Sequence, residues 1–275
     1  MKLVLLGDFH YSRMKNGAAE VKEAGEHAYS AILDSFLSTD GQFHISLGDL
    51  TNEGVPEEFR YVLGRIGDSG RDFIHVLGNH DTNSIPKADI RAITGQQRYR
   101  AIDTEEAVLL ILDSTKEQSP NDWGGEIDSE QTEWLRVQLE QAGEKPVLIF
   151  AHHPVYDTTA LSIYDMLSIH PEHPIKGLLQ QKKGPGFYFC GHNHVNSIIR
   201  QQNWHFIQTA ACLDVPAIRT VELKDGQFRT ELVMIDQPDL TDRIANFQMS
   251  MDGFSPASDA RGEEADCHLQ VELDK

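Results

Sequence analysis

The stretch Leu3-Val4-Leu5-Leu6-Gly7-Asp8-Phe9-His10 decides the fold. Its four consecutive apolar residues read as a strand buried on both faces, and Gly7 stops it. Asp8 and His10 stand two positions apart, so on extended backbone they point to one side and can share a cation. The pattern returns along the chain. Phe43 to Leu47 runs into Gly48-Asp49, and Phe73 to Leu77 runs into Gly78-Asn79-His80-Asp81. Val147 to Phe150 leads to His152-His153-Pro154, and Phe187 to Phe189 leads to Gly191-His192-Asn193-His194. Apolar runs that each end in metal-binding side chains describe a site assembled at the carboxyl ends of several strands.

Helical signals separate these strands. Val21, Ala24, Ala28, Ile32, Leu33 and Phe36 give Ala18 to Leu37 an amphipathic spacing. Pro56, followed by Glu57 and Glu58, opens a second helix reaching about Ile66. A third is predicted from Ser129 to Gln141, with Ser129 as its N-cap; Thr132 leaves the capping box incomplete. Ala107 to Leu112 is a further strand, ending at Asp113-Ser114. Tyr156 to Pro185 is a long connection with a helical stretch near Ile175 to Gln181, and such connections often shape a substrate mouth. Trp204 to Gln208, Ile218 to Leu223 and Phe228 to Ile235 return to strand, the last two joined by a turn at Asp225-Gly226. Alternating strands and helices followed by late strands indicate a layered α/β protein. The reading is one domain over residues 1–240 and a polar C-terminal extension over 241–275, in which Ser255 to Asp266 is expected to be mobile or weakly packed.

Bulk composition narrows the function. The chain has 275 residues and, with 24 basic against 43 acidic residues, a formal charge of −19. That balance disfavours a nucleic acid polymer as partner, and a DNA-processing nuclease lacks the basic track it needs. A small phosphate ester stays open, because bound divalent cations reverse the local field. Cys190, Cys212 and Cys267 are too few and too odd for a disulfide framework. Cys190 is read as a small buried strand residue rather than a ligand. Leu3 to Leu6 is too short for a signal-peptide core and no run reaches membrane-spanning length, so a cytoplasmic protein without a membrane partner is expected.

The patches can be counted as chemistry. Asp8, His10, Asp49, Asn79, His152, His192 and His194 offer seven ligand groups, and a carboxylate such as Asp49 can bridge two ions. Seven groups with one shared make two four-ligand sets with positions left for water or a substrate oxygen. Two metals roughly 3.5–4 Å apart clamp the attacking and leaving oxygens of an in-line displacement, which is the chemistry of phosphoester hydrolysis. Oxygen and nitrogen ligands together suit two divalent or mixed-valence ions of Mn, Fe, Zn or Co.

The ordered series Asp-x-His, Gly-Asp, Gly-Asn-His-Asp, His-His-Pro and Gly-His-x-His resembles the calcineurin-like metallophosphoesterase superfamily. The spellings Gly48-Asp49-Leu50-Thr51-Asn52-x-Gly54 and Cys190-Gly191-His192-Asn193-His194 are closer still to its class III cyclic-nucleotide phosphodiesterases and bacterial glycerophosphodiesterases. The resemblance implies a four-layer αββα sandwich of two mixed β-sheets flanked by helices. It assigns Asp8, His10, Asp49 and His194 to one metal and Asp49, Asn79, His152 and His192 to the other. A hydroxide bridging the metals would attack phosphorus in a small phosphodiester. His80 would serve the leaving oxygen as general acid or charge stabiliser, with Asp81 orienting its ring. Gly7 stands where many relatives have Ser, and Val155 where a second Pro is common; neither departure removes a ligand.

Competing readings remain. Either member of the His152-His153 doublet could ligate, although the resemblance favours the first. A phosphomonoesterase or nucleotide pyrophosphatase would use the same site, and a non-enzymatic metal-dependent scaffold would be expected to lack ligands that are all present here. His27, His44, His75, His170, His173, His205 and His268 read as structural or surface residues, Asp113 as a turn carboxylate, and Tyr156 as a residue near the mouth. The late strands and tail leave a homo-oligomer open.

Overall fold

The protein was analysed as a computed structural model, which describes every residue except Asn16, Asp274 and Lys275. In chain order the first half runs β1 (Lys2–Leu6), α1 (Ala19–Ser38), β2 (Phe43–Ser46), α2 (Pro56–Ser69), β3 (Phe73–His75), α3 (Lys87–Thr94), β4 (Arg100–Asp103) and β5 (Val108–Ile111). Then come α4 (Ser129–Ala142), β6 (Val147–Phe150), α5 (Ile175–Gln181), β7 (Gly186–Cys190), β8 (Ser197–Gln201) and β9 (Trp204–Gln208). The chain closes with β10 (Ala217–Lys224), β11 (Gln227–Met234), α6 (Leu240–Gln248), α7 (Glu264–Cys267) and β12 (His268–Glu272).

Two six-stranded mixed sheets form, in the orders β12-β11-β10-β1-β2-β3 and β4-β5-β6-β7-β9-β8. The double burial of β1 explains the layering. Leu3 and Leu5 point between the sheets with Ile45, Ile74, Phe150 and Phe189. Val4 and Leu6 point the other way, to α1 and α6 through Ile32, Phe36, Ile244 and Phe247. On the outer face of the second sheet, Leu110, Ile149 and Tyr188 meet Leu135 and Leu139 of α4 and Leu179 of α5. Phe187 and Phe228 stack across the sandwich with centroids 3.6 Å apart. The result is the expected αββα sandwich.

Parallel pairing gives the site its place. β1, β2 and β3 are parallel, and so are β5, β6, β7 and β9. Their carboxyl ends therefore deliver the loops after β1, β2, β3, β6 and β7 to one edge of the sandwich.

Two expectations are corrected. The N-cap of α4 is Asp128, whose carboxylate accepts from Gln131 N, and Ser129 is already inside the helix. The short segments α3, β4 and β8 are further elements that the sequence reading did not assign. The polar extension over 241–275 is built into the fold, and within Ser255 to Asp266, read as mobile or weakly packed, Ala257 N donates to Asp214 and Ala260 is buried with its carbonyl accepting Asn196 N. Leu240, Ile244, Phe247, Met251 and Phe254 are buried in the core under α1, and β12 pairs antiparallel with β11. Its few apolar residues are spread among polar ones, so the partner that buries them is invisible locally; its last two residues lie outside the described ones. Among the described residues, no helix is long and apolar enough to cross a membrane.

Candidate metal centre

The loops that carry the donors are bent where only close approach allows it. Gly48 sits at φ +100°, and a Cβ there would stand 2.3 Å from His152 Nδ1. A Cβ on Gly191 would stand 2.1 Å from Asp8 Oδ1. His10, Asp49, His192 and His194 all have positive φ, at 46°, 46°, 71° and 57°. Such backbone is unfavourable for residues with a Cβ, and it persists where the surrounding structure holds it in place, as at binding sites. Gly191→Ala is expected to displace Asp8 and weaken metal binding; metal content of the purified variant checks this.

The seven predicted ligands converge. On one side His10 Nε2 lies 3.1 Å from His194 Nε2 and 3.6 Å from Asp49 Oδ2, and His194 Nε2 lies 3.4 Å from Asp8 Oδ2. On the other, His152 Nε2 lies 3.0 Å from Asn79 Oδ1, 3.2 Å from His192 Nδ1 and 3.3 Å from Asp49 Oδ2. His192 Nδ1 is also 3.0 Å from Asn79 Oδ1. Asp49 Oδ2 is thus common to both groups, while its Oδ1 accepts the His80 backbone N–H at 2.8 Å.

Whether these residues fit metal ions is tested by where the imidazole protons go. His152 Nδ1–H donates to Leu47 O at 2.9 Å, and His192 Nε2–H donates to Met166 O at 2.9 Å. His194 Nδ1 lies 3.2 Å from an Asp214 carboxylate oxygen, and His10 Nδ1 lies 3.2 Å from Asn52 Oδ1. Each ring thereby has an outward neighbour at one nitrogen and turns the other nitrogen inward. Without a cation, ring nitrogens 3.1–3.2 Å apart must take up protons or repel, and Asp8 Oδ1 is buried without a hydrogen-bond partner. A cation removes both penalties, so the donor set fits two ions.

Electrostatics agree. Burial raises the Asp8 carboxyl, whereas for Asp49 the burial effect is outweighed by His152, His80 and His10, which hold it well below the usual carboxylate range. Burial, with His152 beside it, lowers His192 to about 3, and His10 is lowered well below the ordinary histidine value by burial and His80. Burial would also lower His152, but Asp49 and Asp8 raise it to about 9; His194 is raised, against burial, by Asp214 and Asp8. A histidine with raised folded pKa contributes stability fully present below its unfolded pKa and lost as pH rises. Metal-free protein is therefore expected to lose stability between about pH 6.5 and about pH 9, measured by urea unfolding in chelator at both ends of that window.

The remaining site residues fall differently from expectation. His153 is spoken for, since its Nδ1 accepts from Ser114 Oγ at 2.9 Å and its Nε2–H donates to Trp123 O at 2.8 Å. Of the doublet, it is His152 that turns Nε2 toward Asn79 and Asp49. Asp81 does not orient His80. Its carboxylate accepts from Leu50 N, Thr51 N, Thr51 Oγ1 and Gly78 N, at 2.7–3.2 Å, and so pins the β2 and β3 loops together. Adjacent residues project in different directions, and the His80 ring is held instead through Nδ1–H to Asn52 O at 2.7 Å. Asp113 is bound to Lys87 and Arg98, away from the donors. Tyr156 lines a neighbouring groove with Ile163 and Tyr164. Asn52, Asp214 and Phe254 escaped the sequence reading. Asn52 stood within a quoted motif without a role, and nothing local to Asp214 or Phe254 signals a site.

The candidate donors Asp49, Asn79, His192 and His194 open into a cavity of about 590 Å³ that is also lined by His80, Asn83, Pro120, Trp123, Leu167 and Asn193. Cys190, at the end of β7, is fully buried, and burial holds its thiol well above the ordinary value.

An αββα sandwich with two sets of oxygen and nitrogen donors sharing one carboxylate at its strand ends defines the class of dinuclear metallohydrolase folds. Residues 1–196 match the calcineurin-like phosphoesterase family, and the chain belongs to it. It is 29% identical over 154 residues to glycerophosphodiester phosphodiesterase GpdQ of Enterobacter lignolyticus, a match spanning 54% of this chain and 54% of that protein. It is 22% identical over 250 residues to the 3',5'-cyclic adenosine monophosphate phosphodiesterase CpdA of Escherichia coli K12, covering 84% of this chain and 89% of that one. In fold it is similar to a dimetal phosphatase from Danio rerio, with a TM-score of 0.71 at 14% identity over 86% of this chain and 97% of that one.

Proposed function

We propose that this protein hydrolyses small phosphodiesters, of cyclic-nucleotide or glycerophosphodiester type, at a dinuclear metal centre. The observation that carries the reading is the sharing of Asp49 Oδ2 between the two donor groups, with His80 lining the same cavity and anchored through Nδ1 on Asn52 O. Asp8, His10, Asp49 and His194 would hold one ion, and Asp49, Asn79, His152 and His192 the other. Two bound divalent ions would supply Lewis acidity to the phosphoryl oxygens and lower the pKa of a water molecule.

The chain's own residues do the rest. The outward neighbours of the four histidines fix ring orientation, so the donors are in place before substrate arrives. His80 is anchored at Nδ1, leaving Nε2 with no protein partner among the described residues; protonated, it can give its proton to a departing alkoxide. Trp123, Pro120 and Leu167 offer apolar surface for the ester groups, and Asn83, Asn193 and Ser255 offer neutral polar contacts. Among the described residues, no lysine or arginine lines this cavity. That favours a singly charged diester over a doubly charged monoester, whose second charge calls for another cationic partner.

Removal of metal by chelation is expected to abolish turnover of a bis-aryl phosphodiester, with recovery on adding Mn or Zn. Full activity in rigorously metal-free protein would overturn the reading. Rates on mono- and diester analogues of one leaving group distinguish it from a phosphomonoesterase or nucleotide pyrophosphatase, and the diester is expected to be the faster.

A further inference from the structure

Residues 249–260 lie beyond the family match, yet they reach the metal centre by three routes. Asp214 is the first. One oxygen lies 3.2 Å from His194 Nδ1, and the other accepts Ala257 N at 3.2 Å. Asn52 is the second, with Oδ1 3.2 Å from His10 Nδ1 and its amide nitrogen donating to Asp252 O at 2.8 Å. Phe254 is the third: 7% exposed, its ring stands 5.0 Å from the His10 ring and 5.2 Å from the His194 ring, centroid to centroid. Farther along, Asn196 N donates to Ala260 O at 2.8 Å and ties the strap down.

All three routes end on His10 and His194. The other donors are held elsewhere, His152 by Leu47 O and His192 by Met166 O. We propose that Asp214 and Phe254 are positioning residues through which the C-terminal strap holds one half of the dinuclear centre and leaves the other independent of it. The inference rests on the dinuclear reading above. Its physical basis is that a histidine ligand is oriented by the partner of its second nitrogen and by what packs against the ring, and losing such a partner typically lowers metal affinity by about 10–100-fold. The strap also walls the substrate cavity through Gly253, Ser255 and Ala257, so filling of the His10/His194 half and shaping of the substrate seat depend on one segment.

Asp214→Asn keeps the shape but removes the charge facing His194, and Phe254→Leu keeps an apolar plug but removes the ring. Mn²⁺ binding to each full-length variant is followed by equilibrium dialysis, and the spin coupling between ions by electron paramagnetic resonance. The wild type is expected to bind two coupled ions. Each variant is expected to keep one ion at wild-type affinity and to bind the other about 10–100-fold more weakly, with the coupled signal replaced by that of an isolated ion. Wild-type affinity for both ions in both variants, or equal weakening of both ions, overturns the proposal. Urea unfolding of the metal-free variants identifies any that fails to fold, and the other then decides. A wild type that binds no Mn²⁺ or other divalent ion sinks the dinuclear reading itself, a distinct outcome.

Discussion

Replacing His80 with alanine is expected to leave both metal ions bound and to lower turnover of an alkyl phosphodiester by about 10²–10⁴-fold, the range for loss of a positioned proton donor. Metal retention follows from which atom of His80 supports the centre. Its backbone N–H, not its ring, donates to Asp49 Oδ1, and that bond survives truncation. The ring contributes at the cavity, where Nδ1–H is anchored on Asn52 O. The leaving group separates two roles. If His80 gives a proton, the loss should be large for an alkoxide leaving group and small for a nitrophenolate, which departs unaided. A loss independent of leaving group would make His80 a stabiliser of charge on phosphorus. Unchanged turnover on both substrates would remove it from the mechanism. Metal content and kcat measured on one preparation settle the matter.

Asp49→Asn should have the largest effect on assembly of the centre. Asp49 Oδ2 lies near both His10 Nε2, at 3.6 Å, and His152 Nε2, at 3.3 Å. An amide keeps the size and can still accept from His80 N, but it brings no charge to the place where two cations would meet. The variant is expected to lose binding of at least one ion by more than the about 10–100-fold that loss of an outer partner costs, and activity should fall with it. Asn79→Ala offers the contrast, because Asn79 Oδ1 touches only His152 and His192. It should weaken one ion alone. Titration of each variant with Mn²⁺, reading stoichiometry and affinity together, tests this. Two ions bound to the Asp49→Asn protein at wild-type affinity would remove Asp49 from its shared role.

The layered α/β fold was legible because β1, β2, β3, β6 and β7 combine two strong local signals, a short mostly apolar run and a Gly or ligand stop. The elements missed were those whose stability is not local. β8 has only intermediate and exposed residues after Ser197, and β12 alternates exposed and half-buried positions. α6 buries Leu240, Ile244 and Phe247 against α1, a partner some two hundred residues earlier in the chain. The donors were legible for a related reason. A metal ligand must be one of few side-chain types, and a strand-end loop supplies it within two or three residues of a glycine.

What orients those donors was not legible, and the reason is physical. Orientation is set by single hydrogen bonds to groups distant in sequence, often backbone carbonyls, which every residue carries alike. Leu47 O and Met166 O hold His152 and His192, yet neither residue type announces the role. The same reasoning explains Asp81. Beside His80 in sequence it looked like the carboxylate that steers the ring, but the turn after β3 sends it to the amides of Leu50, Thr51 and Gly78. The sequence by itself determined the layered α/β class and the seven candidate donors at strand ends, because residue type and spacing along strands encode them. Only the tertiary structure decided between His152 and His153, freed Asp81 from His80, and brought Asp214 and Phe254 against His10 and His194, because each depends on where a distant stretch of chain comes to rest.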